Sequence, residues 1–261
     1  MFFYSLYSGS SGNSVLVSSE KTKILIDAGL PGKSIEKALH TIDQKPTEID
    51  AIFVTHEHTD HIKGVGVLSR KYDIPIYTDS LTWEAMLPKI GKLKEHNIKI
   101  IENNYSNVKD LDIISYNIPH DAVSPHGYSI CNNKKKFCLA TDLGYFTEEI
   151  QSILKDADAI LLESNHDEEM LKFGPYPYVL KRRILSDMGH LSNEACGKAI
   201  LSILNSYKKK IMLGHLSKTN NYPDLAYQTV LSLLTENEVK LNEDIELFMA
   251  NRSIPSKIVE F

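Results

Sequence analysis

The residues best suited to chemistry in this chain are His56-Glu57-His58-Thr59-Asp60-His61, three histidines and two carboxylates in six positions. Neutral imidazole and carboxylate are the ligand types of Zn²⁺ and related divalent ions. His56 and His58 are two apart, so in an extended backbone their rings point the same way. Asp60 and His61 fall where the chain is expected to turn, and can face a neighbouring point. Two adjacent pairs suggest two ions. A lone histidine is more often exposed or internally hydrogen-bonded, but His-x-His-x-Asp-His behind an apolar run argues for metal.

The elements around the cluster must position it. Asp50–Thr55 reads as a buried strand and Ile62–Tyr72 as a helix, which puts the cluster at the carboxyl end of a strand, the usual ligand edge of an α/β sheet. Similar junctions recur downstream. His120 follows the strand-like Leu111–Tyr116, Asp142 follows Lys136–Thr141, Glu163 closes Asp158–Glu163, and His215 follows Lys210–Gly214. A carboxylate at a strand end, such as Asp142, can bridge two cations. Ser8-Gly-Ser-Ser-Gly-Asn-Ser14 offers backbone amides to an anion, although a plain turn fits the letters as well. Gly189-His190-Leu-Ser192-Asn193 precedes a helix expected over Glu194–Tyr207, whose first amides favour an anion. Ser192 or Asn193 as a simple N-cap explains the helix start but not the Gly-His in front. Trp83 is expected in the core.

The pattern resembles the metallo-β-lactamase superfamily, which implies an α+β fold, a four-layer αββα metallo-β-lactamase sandwich, in one domain over 1–261. At finer resolution it is similar to the YycJ/WalJ-type exonuclease family. The matching pieces are Ser8–Ser14, Ile26-Asp27-Ala-Gly29, Thr55–His61, Pro119-His-Asp-Ala122, Thr141-Asp-Leu-Gly144, Leu162-Glu163-Ser-Asn165, Gly189–Asn193, and Gly214-His-Leu-Ser217 with Asn220-Asn221. The strand-end residues then collect as His56, His58 and His120 for one ion, Asp60, His61 and His215 for the other, and Asp142 between them. Two divalent cations, Zn²⁺ before Mn²⁺ or Fe²⁺, lower the pKa of a shared water so that a bridging hydroxide exists at neutral pH.

The resemblance implies a 5′-3′ DNA exonuclease serving mismatch repair, with DNA favoured over RNA. Gly189-His190 also resembles the second, substrate-side histidine of tRNase Z enzymes, which gives His190 the scissile phosphate or the leaving oxygen and Glu163 the orienting of that histidine; with Asp60 these are the expected catalytic residues. Ser10, Ser11, Asn13, Ser192, Asn193, Ser217 and Asn221 are neutral donors expected to hold phosphate oxygens. The competing reading is a small-molecule ester, thioester or cyclic-phosphate hydrolase on the same metals. Asp142 to His215 is too short for the inserted domain of β-CASP nucleases.

The bulk numbers set bounds on these readings. The chain has 261 residues, 42% hydrophobic and 24% charged, enough for a packed core. A net charge of −5 argues against a protein that coats nucleic acid, though not against a local basic patch such as Lys181–Arg183. Three cysteines without metal spacing read as reduced thiols with no catalytic role. No basic leader and no membrane-length apolar run is present, so the expectation is a cytoplasmic enzyme without membrane or stable protein partner.

Overall fold

A computed structural model describes residues 1–133 and 135–261. The chain divides into two compact units. The first is Met1–Asn117, Ala122–Lys134 and Asn251–Glu260; the second is Ile118–Asp121, Lys135–Ala250 and Phe261.

In the first unit the aromatic and β-branched apolar runs become β1 (Phe2–Tyr7), β2 (Ser14–Ser18), β3 (Lys23–Ile26), β4 (Ala51–Phe53), β5 (Ile76–Thr78) and β6 (Ile98–Ile100), adjacent in that order. The terminal strand Val259–Glu260 pairs with the free edge of β1. β1 to β3 are antiparallel, and β3 to β6 are parallel. Ile24, Leu25, Ile26, Ile52 and Phe53 are buried, as a parallel strand covered on both faces requires. The helices are α1 (Gly32–Thr41), α2 (Thr59–Ile62), α3 (Val65–Tyr72) and α4 (Ser80–Ile90). Trp83 of α4 is buried and donates its indole N–H to the Lys99 carbonyl at 2.9 Å. An antiparallel meander of β7 (Tyr105–Val108), β8 (Leu111–Asn117) and β9 (His126–Asn132) completes the unit.

Among the described residues the second unit holds four parallel strands, β10 (Lys135–Ala140), β11 (Ala159–Glu163), β12 (Lys209–Gly214) and β13 (Ile245–Met249). Its helices are α5 (Glu148–Lys155), α6 (Glu168–Phe173), α7 (Tyr178–Ile184), α8 (Asn193–Ile203) and α9 (Pro223–Glu236). Ala140 lies opposite Leu162, and Glu163 opposite Gly214, so β10, β11 and β12 reach their carboxyl ends at one edge. No helix among the described residues is long and apolar enough to cross a membrane.

Several boundaries differ from the sequence expectation. The helix expected over Ile62–Tyr72 is two helices, because the Gly64 amide is drawn to the Ala28 carbonyl at 2.7 Å between them. β4 stops at Phe53 rather than Thr55, two residues short of the strand expected before His56. α8 ends at Ile203 instead of Tyr207, and the short α6 was not expected at all.

Candidate metal centre

In the first unit, three loops that follow β1, β3 and β4 are clipped together by main-chain hydrogen bonds. Asn13 N donates to Asp60 O at 2.8 Å, Ala28 N to His61 O at 2.9 Å, and Gly29 N to Asn13 O at 2.8 Å. The approach leaves no room for a side chain at Gly29: a Cβ there would stand 1.6 Å from the Asp60 carbonyl oxygen. Asp27, in left-handed backbone at φ 61°, turns its buried carboxylate into this knot. It accepts from Thr55 N and Thr55 Oγ1, both at 2.9 Å, and lies 2.8 Å from His61 Nδ1. A carboxylate is an acceptor, so His61 carries its proton on Nδ1 and presents Nε2 as ligand nitrogen. That Nε2 is 3.7 Å from Asp60 Oδ2 and 3.1 Å from the Asn13 amide. His56 Nε2 and His58 Nδ1 converge to 3.1 Å, with ring centroids 4.6 Å apart. Glu57 turns elsewhere, accepting the Val123 N–H on its carboxylate.

The second unit repeats the device. Asp142 follows β10 and His215 follows β12, both in left-handed backbone at φ 61° and 57°. Such conformations are uncommon for residues other than glycine and cluster at functional sites. Glu163, at the end of β11 and fully buried, takes both His190 Nδ1 at 2.8 Å and His215 Nδ1 at 2.7 Å on Oε1. Its Oε2 accepts from Leu143 N at 2.6 Å and Leu191 N at 3.3 Å. Burial opposes the charge on Glu163, but the charges and hydrogen bonds of His190 and His215 outweigh it and hold the carboxyl down to about 2. His120 gives Nδ1 to the Gly189 carbonyl at 3.3 Å; burial pushes its imidazole pKa down, favouring the neutral, ligating form.

His120 Nε2 and His215 Nε2 then stand 3.7 and 3.5 Å from Asp142 Oδ1, and His190 Nδ1 is 3.8 Å from it. The donor atoms of Asp142, Glu163, His190 and His215 all lie within 4.8 Å of one another. Separations of this kind are too long for hydrogen bonds. They suit two ligands on one cation, since donors about 2.1 Å from a tetrahedral ion are about 3.4 Å apart. The donor set in each unit therefore fits divalent metal: imidazoles with fixed tautomers, carboxylate oxygens beside them, and a buried acceptor behind His61 and His215.

The expected phosphate contacts divide differently. Ser10 and Ser11 are exposed on their loop, while Asn13 is buried and accepts from Gly9 N at 2.9 Å. Ser192 is the N-cap of α8, accepting from Ala195 N. Asn193 and Asn221 are buried and bond each other at 3.1 and 2.9 Å; Ser164 Oγ donates to Asn193 Oδ1 at 2.7 Å, and Asn221 Nδ2 donates to the carbonyls of Ser164 and Asn165. Ser217 Oγ accepts from Asn220 N. These four residues tie the ends of β11 and β12 to α8, so their polar atoms are spent inside the unit rather than offered to a substrate. Sequence reasoning missed Thr55 and Asn165, which steady the ligand loops: Asn165 Nδ2 donates to His215 O at 2.8 Å. For Asn165 the only signal was its place beside Glu163.

The metallo-beta-lactamase superfamily profile matches residues 7–215. The chain is 43% identical to exodeoxyribonuclease WalJ of Streptococcus pneumoniae serotype 2, over 99% of this chain and 98% of that one. It is 40% identical to exodeoxyribonuclease YycJ of Bacillus anthracis over the same shares. Among solved structures, the metallo-beta-lactamase fold protein YhfI from Bacillus subtilis superposes with a TM-score of 0.68 at 14% identity, covering all of both chains.

Proposed function

Since the chain belongs to the metallo-β-lactamase superfamily, and within it to the group of exodeoxyribonucleases WalJ and YycJ, we propose that it is a metal-dependent exodeoxyribonuclease, releasing nucleotides from the 5′ end of a DNA strand. In this reading His56, His58, Asp60 and His61 of the first unit and His120, Asp142 and His215 of the second are the residues that would hold two divalent ions. Zinc suits the imidazole-rich set best, with manganese as the alternative. Ions bound there supply Lewis acidity toward a phosphodiester and make water a nucleophile at neutral pH.

The chain's own residues supply the rest. Asp27 and Glu163 keep the ligand rings turned with Nε2 forward, so no reorientation is needed when substrate arrives. His190 is 19% exposed, unlike the nearly closed His120 and His215. With Nδ1 held by Glu163, its Nε2 is the atom available to a substrate, placed to hand a proton to the departing 3′ oxygen. Ser10 and Ser11 remain as solvent-facing donors for a terminal phosphate.

The observation that carries the reading is the Glu163 carboxylate gripping two histidines beside Asp142. Duplexes labelled at either end, incubated with protein and Zn²⁺ or Mn²⁺, test it. Labelled mononucleotide should leave the 5′ end first, and His190→Ala should lower kcat by about 100-fold or more. Protein that carries its metals and releases no nucleotide would refute the assignment.

A further inference from the structure

Three of the four most exposed large apolar side chains among the described residues fall within seven positions. Phe173 is 83% exposed, Tyr178 73% and Val179 80%. Apolar surface gathered in this way on an otherwise ordinary chain marks a place where something binds. Phe173 closes α6, Tyr178 and Val179 open α7, and Gly174-Pro175-Tyr176-Pro177 joins them.

The corner is stiff. Gly174 and Pro177 are extended, with ψ 175° and 147°. Lys181 Nζ, from α7, donates to the Lys172 carbonyl at 2.8 Å and holds the end of α6 against it. The two aromatic rings are therefore presented with little left to order on binding. Cationic side chains follow at once. The Arg182 guanidinium lies 5.9 Å over the Tyr178 ring, and Arg183 forms a two-pronged pair with Asp121. Lys172 is occupied by Glu168 and Glu169, so the positive character of the corner lies on the α7 side.

The same helix leads to the candidate site. His190 N donates to the Ile184 carbonyl at 3.1 Å, and Asp121, the partner of Arg183, is next to His120 with its Oδ1 3.4 Å from Nε2. From Tyr178 to Ile184 the helix advances about 9 Å, at about 1.5 Å per residue. At the stacked rise of about 3.4 Å per nucleotide of one strand, this is roughly three nucleotides.

We propose that the α6–α7 corner is a binding site for single-stranded DNA, gripping the substrate strand about three nucleotides from the scissile bond. Bases stack on Phe173 and Tyr178, and Arg182 meets the backbone. Aromatic faces interleaved with guanidinium groups are the recognition chemistry of unpaired strands, since every base has a face to stack and every nucleotide carries a phosphate. An acidic peptide would not need the aromatic rings, and an apolar one would not need the guanidinium beside them. The inference rests on the nuclease reading for the direction of the strand, but binding at the corner can be measured without turnover.

The test is fluorescence anisotropy of a labelled oligo-dT 20-mer with the metal-loaded protein in a non-hydrolysable phosphorothioate form. Phe173→Ala with Tyr178→Ala should weaken binding by about tenfold or more, given the usual contribution of base–aromatic stacking. Tyr178→Phe should bind like the parent, because the ring is kept. Arg182→Ala should flatten the salt dependence by about one phosphate contact. Hydrolysis adds a second arm: the double variant should raise KM on the 20-mer and leave bis(p-nitrophenyl) phosphate, too short to reach the corner, unaffected. Unchanged 20-mer binding by the double variant overturns the proposal. So does sedimentation showing that the parent self-associates through this face while the double variant is monomeric. If the parent binds the 20-mer through these residues but cleaves no DNA, the corner stands and the nuclease reading fails.

Discussion

His166 differs from the other buried histidines in having no acceptor behind its ring. It is 1% exposed, and neither ring nitrogen has a hydrogen-bond partner. Burial dominates the nearby acidic charges and lowers its pKa to about 4. In the unfolded chain it titrates near 6.5. Stability from this group is therefore complete above pH 6.5 and is lost as pH falls toward 4, because the unfolded state takes up the proton first. The slope it contributes is at most about 1.4 kcal/mol per pH unit. Urea midpoints of the parent should fall between pH 6.5 and 4.5, and His166→Leu should show a shallower fall; parallel curves would show that another group governs. At the same scale, Asn193, Asn221 and Ser217 show why phosphate contacts were hard to read from sequence. A neutral amide or hydroxyl has the same letter whether it faces solvent or closes an internal network. The histidines and Asp142 were legible because imidazole and carboxylate at strand ends have few purely structural uses.

Among the elements, the parallel strands were readable from their β-branched runs, and the edge of β10, β11 and β12 follows from the recurring change from apolar to polar letters. The break between α2 and α3 was not readable, since it depends on a carbonyl from a distant turn, Ala28, taking the Gly64 amide. β7 is not readable because Tyr-Ser-Asn-Val has no strong alternation; it is held by its ladder with β8. The clipped loops of the first unit lead to a direct prediction. Gly29→Ala would drive a methyl group into the Asp60 carbonyl and the Asn13 amide, so Asp60 and His61 must shift. We expect a loss of about 3 kcal/mol in unfolding free energy and weaker metal binding. Gly32→Ala, where the nearest atom is the end of Val67 at 3.1 Å, should change stability by less than about 1 kcal/mol. Thermal melts with and without added zinc distinguish the two; equal effects would mean that the loop knot is not what holds the ligands.

For the whole molecule, metal and folding should be coupled. Ligand rings held in place before metal arrives make binding a stabilising term, of about 4 kcal/mol when free metal exceeds its Kd a thousandfold. For a chain of this length that corresponds to roughly 10 °C in Tm. Dialysis against EDTA should lower Tm by about this amount and zinc should restore it, with two equivalents bound per chain by elemental analysis; a Tm indifferent to chelation would count against pre-set ligands. The net charge of −5 means that DNA is held by local cations rather than by the average field, so affinity should be salt-sensitive but not general to polyanions. The pairing of Phe2 and Phe3 with Glu260 and Val259 has a further effect during synthesis. β1 is made long before its edge partner Val259–Glu260, and until that segment emerges this edge stays open to other nascent chains. Crowded translation is therefore where this protein is most exposed to misassembly, and where a holdase would matter to its yield.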